Sequence, residues 1–314
     1  MSFSQSVKEE LSNQIPTARH CMIAEAAAII SLCGRIIITT EDKYSVKIHT
    51  ENIYVARKYF TLVEKAFNIK AEITIRQNAY LRSSKTYTIT VNDHISAIRI
   101  LQAVKLIDGN MEIEEKLSII NNVVIMKSCC RRAFLRGAFL SVGSISKPEK
   151  SYHFEMVCTT MAKALQLKDI IKTFEIDAKI VERKKHFVVY IKEGESIVDM
   201  LNIMEAHISL MKLENIRIIK EMRNTVNRKV NCETANLNKT VSASVKQIED
   251  IRLIQDTIGL SGLKKPLQEI AVVRLENPDA SLKELGALLN PTVGKSGVNH
   301  RLRKLSEIAD GLRY

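Results

Sequence analysis

Between residues 20 and 205 the apolar positions follow a helical period, then a strand period, and the whole succession occurs twice. In the first pass, a helix of small residues over 24–32 ends at Gly34. Strands at 36–40 and 45–49 follow, and Val46-Lys47-Ile48-His49 alternates as a half-buried antiparallel strand does. A helix over 52–67, strands at 72–76 and 87–91, and a helix near 95–105 complete the unit. In the second pass, a helix over 131–141 ends at Gly143. Strands at 144–146 and 153–158, a helix over 161–174, strands at 179–182 and 186–191, and a helix over 196–204 come next. Both passes read αββαββα. A repeat of this size predicts an intramolecular pseudo-dimer. Residues 1–225 are thus expected to form one α+β domain, with repeats at about 20–110 and 129–205.

The pattern then changes. A helix over 208–226 gives way to a polar, Asn-rich run without clear period, read as an interdomain linker over 226–240. Beyond it, 241–258 and 266–276 read as amphipathic helices, with Pro266 in a first turn and Pro278 closing the second. Ser281-Leu282-Lys283-Glu284 has the form of a capping box, and Leu282, Leu285, Leu288 and Leu289 continue at helical spacing. Pro291 and Gly294 end that helix, and Ser296 is placed to cap the next. Helix, turn and helix in this order predict an all-α helix-turn-helix domain over 241–314.

The last helix carries the chemistry. At 100° per residue Val298, Leu302, Leu305 and Ala309 share one stripe, while Ser296, Asn299, His300 and Arg303 point the other way. Lys295, Arg301 and Lys304 flank the polar face, and the stretch 290–306 contains no acidic residue. Hydroxyls, amides and guanidinium groups read base edges, and ammonium groups neutralise phosphate. An ordinary solvated helix would mix both signs of charge. Lys283, Arg228 and Lys229 are secondary candidates for phosphate contact, and for the last two, with Lys239, a merely solvated linker is the competing reading.

Composition agrees with a polyanionic partner. The 314 residues carry a formal charge of +12 and an ordinary apolar fraction of 46%. The N-terminus has no secretory pattern, and the apolar run 21–32 is too short to cross a bilayer and includes Glu25. Cys21, Cys33, Cys129, Cys130, Cys158 and Cys232 show no Cys-x-x-Cys spacing and no histidine at metal-finger distance. Reduced thiols are expected, with no metal and no cofactor. His20, His49, His94, His153, His186 and His207 are scattered and read as structural or surface groups. The stretch 259–265 has the wrong glycine spacing for a phosphate loop.

The helices ending at Gly34 and Gly143 carry Ala26-Ala27-Ala28-Ile29-Ile30-Ser31-Leu32-Cys33-Gly34 and Leu135-Arg136-Gly137-Ala138-Phe139-Leu140-Ser141-Val142-Gly143. Both resemble the nine-residue motif Leu-Ala-Gly-Leu-Ile-Asp-Ala-Asp-Gly of homing endonucleases. Ala27, Ala28, Gly137 and Ala138 would let two helices cross closely along a dyad. In the active nucleases the eighth position is a metal-holding Asp; here it is Cys33 and Val142, and the sixth is Ser31 and Leu140. Neither a thiol nor a valine replaces hard oxygen ligands for Mg²⁺, so the scaffold is expected to be catalytically dead.

An eroded pair of this kind followed by a helix-turn-helix resembles the WhiA family of bacterial sporulation and cell-division regulators. The likeness spans essentially the whole chain. It is carried by Asn227-Arg228…Asn231-Cys232-Glu233…Asn236, by Ser281-Leu282-Lys283-Glu284-Leu285-Gly286, and by the run from Lys295 to Leu305. The resemblance implies sequence-specific binding of double-stranded DNA, a cytoplasmic and nucleoid-associated location, and a role in transcription control, cell division or chromosome segregation.

Three functions compete on these grounds: a non-enzymatic DNA-binding regulator, a DNA-cleaving enzyme of the homing-endonuclease type, and a scaffold whose N-terminal domain binds a protein partner. The missing carboxylates argue against cleavage. Strand-borne charge is mixed, with Lys43, Lys47, Arg76, Arg82 and Lys85 in one half and Lys179, Glu182, Arg183, Lys184 and Lys185 in the other. It permits DNA contact by the N-terminal half without requiring it.

Overall fold

Tyr44, Val46 and Ile48 point inward from one strand while Ser45 and Lys47 point away, and the same division runs through both halves of the N-terminal unit. The computed structural model describes residues 2–77, 85–108, 110–113 and 122–313. Arg82 lies outside the described residues. The chain divides into two compact units, Met1–Lys220 and Glu221–Tyr314.

The first unit opens with α1 (Phe3–Asn13) and α2 (Arg19–Cys33), then β1 (Gly34–Ile38), β2 (Tyr44–Thr50), α3 (Ile53–Phe67), β3 (Glu72–Gln77), β4 (Lys85–Val91) and α4 (His94–Ala103). The second repeat runs α5 (Ser128–Val142), β5 (Gly143–Ile145), β6 (Phe154–Cys158), α6 (Met161–Lys172), β7 (Lys179–Arg183), β8 (His186–Ile191) and α7 (Gly194–Ile203). Each repeat builds an antiparallel four-stranded sheet, ordered β1-β2-β4-β3 and β5-β6-β8-β7. The αββαββα order read from the sequence is the order observed. In the first sheet Lys47 pairs with Thr90 and Arg76 with Thr86. Lys43 is ion-paired with Glu41, and Lys184 and Lys185 make the β7–β8 turn in left-handed backbone conformations.

At the centre α2 packs along α5. Residues Ala24 to Ile30 of α2 and Ala133 to Leu140 of α5 are all buried, as in helices surrounded on every side. Ala27, Ala28 and Ala138 are buried. Gly137 is a position of contact: a Cβ there would come within 2.5 Å of the Glu25 carbonyl oxygen and 3.1 Å of the Ala28 Cβ.

Two charged residues in this apolar helix pair were not foreseen as partners. Glu25 is fully buried, and its Oε1 accepts from Lys58 Nζ at 2.9 Å and from Arg136 Nε at 3.1 Å. Lys58 also donates to the carbonyls of Leu11 and Gln14, and Arg136 reaches Glu205 Oε2 at 2.7 Å. Burial pushes the Glu25 carboxyl above its ordinary range, against the pull of Lys58 and Arg136, and pushes the Lys58 ammonium below its own. Glu205, half-exposed, completes a set of two carboxylates and two cations.

A second grouping corrects the picture of scattered thiols and histidines. His20 and Cys21 in the first turn of α2 meet Cys129 and Cys130 in the first turn of α5. Burial, then the Cys129 thiol, pushes Cys21 up to about 12, and burial likewise raises Cys130.

The next helix, α8, covers His207–Thr257 without interruption. Glu10 caps its start, accepting from the amides of Ile208 at 2.7 Å and Ser209 at 2.9 Å. Residues 226–240, expected to be irregular, are helical throughout, and every one of their side chains is exposed. No Gly or Pro falls between Gly194 and Gly259, so nothing in the chain breaks the helix. The amphipathic period is missing there because this stretch has no core to face.

Candidate nucleic-acid interface

The second unit completes its core with α9 (Lys265–Glu276), α10 (Leu282–Leu288) and α11 (Lys295–Leu312). Ile251 and Ile254 of α8 bury against Ile270, Ala271, Leu285 and Leu289, and against Val298, Leu302, Leu305 and Ala309 of α11. The whole apolar back of α11 is thus consumed by its own unit. Leu288, placed in the apolar repeat by its spacing, is exposed instead, because α10 ends there and Leu289 turns inward.

Local chemistry sets the two helices. Ser281 Oγ accepts from the Glu284 amide, and Glu284 Oε2 accepts from the Ser281 amide at 2.7 Å, which closes the capping box. The bond from the Ser281 amide, and after it the Ser281 hydroxyl, favour the charged carboxylate and hold Glu284 below its ordinary range. The connection folds back so tightly that Val293 N donates to Gly286 O at 3.0 Å. A Cβ on residue 286 would lie 2.0 Å from the Val293 carbonyl oxygen, so only glycine allows the turn. Ser296 does not cap α11. The cap position is Gly294, without a side-chain bond, and Ser296 sits inside the first turn with its side chain free to face outward.

Ser296, Asn299, His300 and Arg303 are all exposed on the front of α11, with Lys295 and Lys304 beside them. Arg303 is 80% exposed, and its nearest acid, Glu307, stands 3.9 Å away. Arg301 departs from the set. It is half-buried, and its guanidinium donates to the Pro266 carbonyl at 3.4 Å.

A groove opens between α8, α10 and α11, and the structure brings together there groups far apart in sequence. Lys239, Lys283 and Lys295 line it with Ser244, Gln247 and Asn299, and its lining holds no carboxylate. Arg274 lies at its base, buried, donating to the Ala280 carbonyl at 2.7 Å. Ser244 and Gln247 escape sequence reasoning, because nothing in the spacing of α8 marks which of its faces meets α11. Arg228 and Lys229 are exposed on α8 and lie outside this groove.

The motif positions in the first unit present different chemistry. Cys33 is half-buried and donates to the Ile29 carbonyl at 3.2 Å. Burial pushes its thiol up, against a bond from Ser141 and the charge of Lys8. Lys8 is itself pushed down to about 8 by burial. Ser31, Cys33, Leu140 and Val142 offer no carboxylate, and the charge of the Lys8 side chain acts on Cys33. These residues do not fit a hard divalent cation.

Comparison with known proteins covers both units. The WhiA N-terminal LAGLIDADG-like domain matches residues 19–107, the WhiA LAGLIDADG-like domain residues 131–223, and the WhiA C-terminal HTH domain residues 226–309. A protein of Lachnoclostridium phytofermentans named probable cell division protein WhiA is 55% identical over 313 residues, covering 100% of both chains. The protein of the same name from Alkaliphilus oremlandii is 48% identical, covering 100% of this chain and 98% of its own. The crystal structure of full-length WhiA from Thermatoga maritima superposes with a TM-score of 0.60 at 26% identity, over 99% of this chain and 98% of the other.

Proposed function

The chain belongs to the WhiA family, and on that premise we propose that it is a non-enzymatic, sequence-specific DNA-binding regulator of cell division, chromosome segregation or sporulation, associated with the nucleoid. The observation that carries the reading is the front of α11. Its Ser296, Asn299, His300 and Arg303 stay exposed while every apolar residue of the opposite stripe is buried. Such a face places an amide and a guanidinium where they can pair with base edges in a major groove. Lys283, Lys295 and Lys239 supply the phosphate contacts from the groove beside it, and Lys304 adds one on the helix itself. No helix among the described residues is long and apolar enough to cross a membrane.

The N-terminal unit keeps the crossing of the nuclease helices without their carboxylates, which supports a scaffold that does not cut. Purified protein should neither nick nor cleave duplex DNA in Mg²⁺ or Mn²⁺. Metal-dependent cleavage that disappeared in a variant of this unit would refute the non-enzymatic assignment. Binding is tested by salt titration of the full chain on duplex DNA. The logarithm of affinity should fall linearly with the logarithm of salt, by about 0.9 per phosphate contacted. Affinity that did not respond to salt would refute the DNA reading.

A further inference from the structure

The four groups gathered at the N-terminal ends of α2 and α5 make a more specific chemical site than anything in the motif itself. His20 Nδ1 lies 3.2 Å from Cys130 Sγ, 3.3 Å from Cys21 Sγ and 4.0 Å from Cys129 Sγ. All four ligand atoms fall within 4.8 Å of one another. A tetrahedral zinc site with ordinary Zn–S and Zn–N lengths has N···S edges of about 3.6 Å and S···S edges of about 3.8 Å. The three N···S distances straddle that value.

We propose that His20, Cys21, Cys129 and Cys130 form a structural zinc site that ties together the starts of the two repeat helices. The set is three thiols and one imidazole, a combination that selects a borderline-soft tetrahedral cation over Mg²⁺ or Ca²⁺. Its symmetry follows the fold. His20 and Cys129 stand 109 residues apart, the separation that also relates Gly34 to Gly143, so each repeat contributes two adjacent ligands from the same turn.

Both helices begin without a side-chain cap and without an acid in the first turn, which leaves their positive ends directed at the cluster. Cys21 and Cys130 are buried while His20 and Cys129 are exposed, which gives an ion a path in and a closed floor behind it. No Cys-x-x-Cys spacing announces the site, because its halves come from different repeats. It lies at the opposite end of the helix pair from Cys33 and Val142, and so is separate from the eroded nuclease centre.

The test uses the full chain, reduced and stripped of metal under anaerobic conditions, with Co²⁺ as the optical probe. The expected result is one Co²⁺ per chain, with sulfur-to-cobalt charge transfer and tetrahedral d–d absorption, displaced by one equivalent of Zn²⁺. Cys129→Ser and His20→Ala alter exposed residues and should keep the fold by circular dichroism. Each should weaken metal affinity by about 100-fold or more, since even outer-shell changes cost 10–100-fold. Cys232→Ser, on exposed α8, should bind as the parent does. Absence of thiolate–cobalt absorption would overturn the proposal, as would full absorption retained in the folded Cys129→Ser and His20→Ala variants. A Cys21–Cys130 disulfide in the reduced preparation, without metal uptake, would also overturn it.

Discussion

Arg136 Nε stands 3.1 Å from Glu25 Oε1, and the contact joins the two motif helices inside the core. Glu25 immediately precedes the first motif, and Arg136 is the second residue of the other. The neighbouring Gly137 brings the backbones close enough for the pair to form. Replacing Glu25 by Gln should leave Lys58 without its counter-charge in a site of no solvent access, and Arg136 with only the half-exposed Glu205. Removal of one partner from a buried cluster costs about 3–5 kcal/mol. Urea denaturation reads the loss directly. A change under about 1 kcal/mol, the size of an exposed pair, would show the cluster to be solvated.

Gly137→Leu tests the crossing itself. Its Cβ alone would meet the Glu25 carbonyl at 2.5 Å and the Ala28 Cβ at 3.1 Å. Overpacking costs about 1–3 kcal/mol, occasionally more. The melting temperature of the first unit should fall, while a separately made 226–314 fragment keeps its helical content and its DNA binding. Unchanged thermal stability in the variant would contradict the close crossing.

On α11, base and phosphate contacts separate by their response to sequence. Arg303→Ala or Asn299→Ala should cost about 1–3 kcal/mol of discrimination between target and random duplex. Lys283→Ala, Lys295→Ala and Lys304→Ala should weaken all sequences alike, each flattening the salt slope by about one. Arg301→Ala should act partly through the protein, since its guanidinium already donates to Pro266. Competition binding at several salt concentrations distinguishes the two classes. Unaltered preference in Arg303→Ala would remove that residue from the groove-facing set.

Lys8 provides the pH dependence. Its ordinary value is 10.5, and burial lowers it to about 8 in the folded chain. Between these values the unfolded chain holds a proton that the folded one has released, so stability rises with pH across the window. The contribution is complete above 10.5 and is lost as pH falls through about 8. Lys8→Met should therefore be more stable than the parent at pH 7, with the advantage shrinking toward pH 10.5. Melting temperatures of the two proteins across that range give the difference, and a constant difference would refute the assignment.

Local periodicity was enough to read the doubled αββαββα order, the capping box at Ser281 and the apolar stripe of α11. Each depends on contacts within a few residues, or on one face being buried and the other wet, and a linear pattern records both. The eroded motif positions were legible for the same reason, since a missing carboxylate is a fact of composition. Residues 226–240 are helical without showing it, because periodicity reports burial and a helix with no buried face leaves no period to read. Ser296 has the residue type of a cap, yet the fold of the turn over Gly286, not residue preference, decides where α11 begins. The pairing of Glu25 with Lys58 and Arg136, the basic groove joining Lys239 to Lys283 and Lys295, and the meeting of His20 and Cys21 with Cys129 and Cys130 belong to tertiary structure alone. Each joins groups from separate helices, and only the packing of one helix against another fixes which side chains come within a few ångströms.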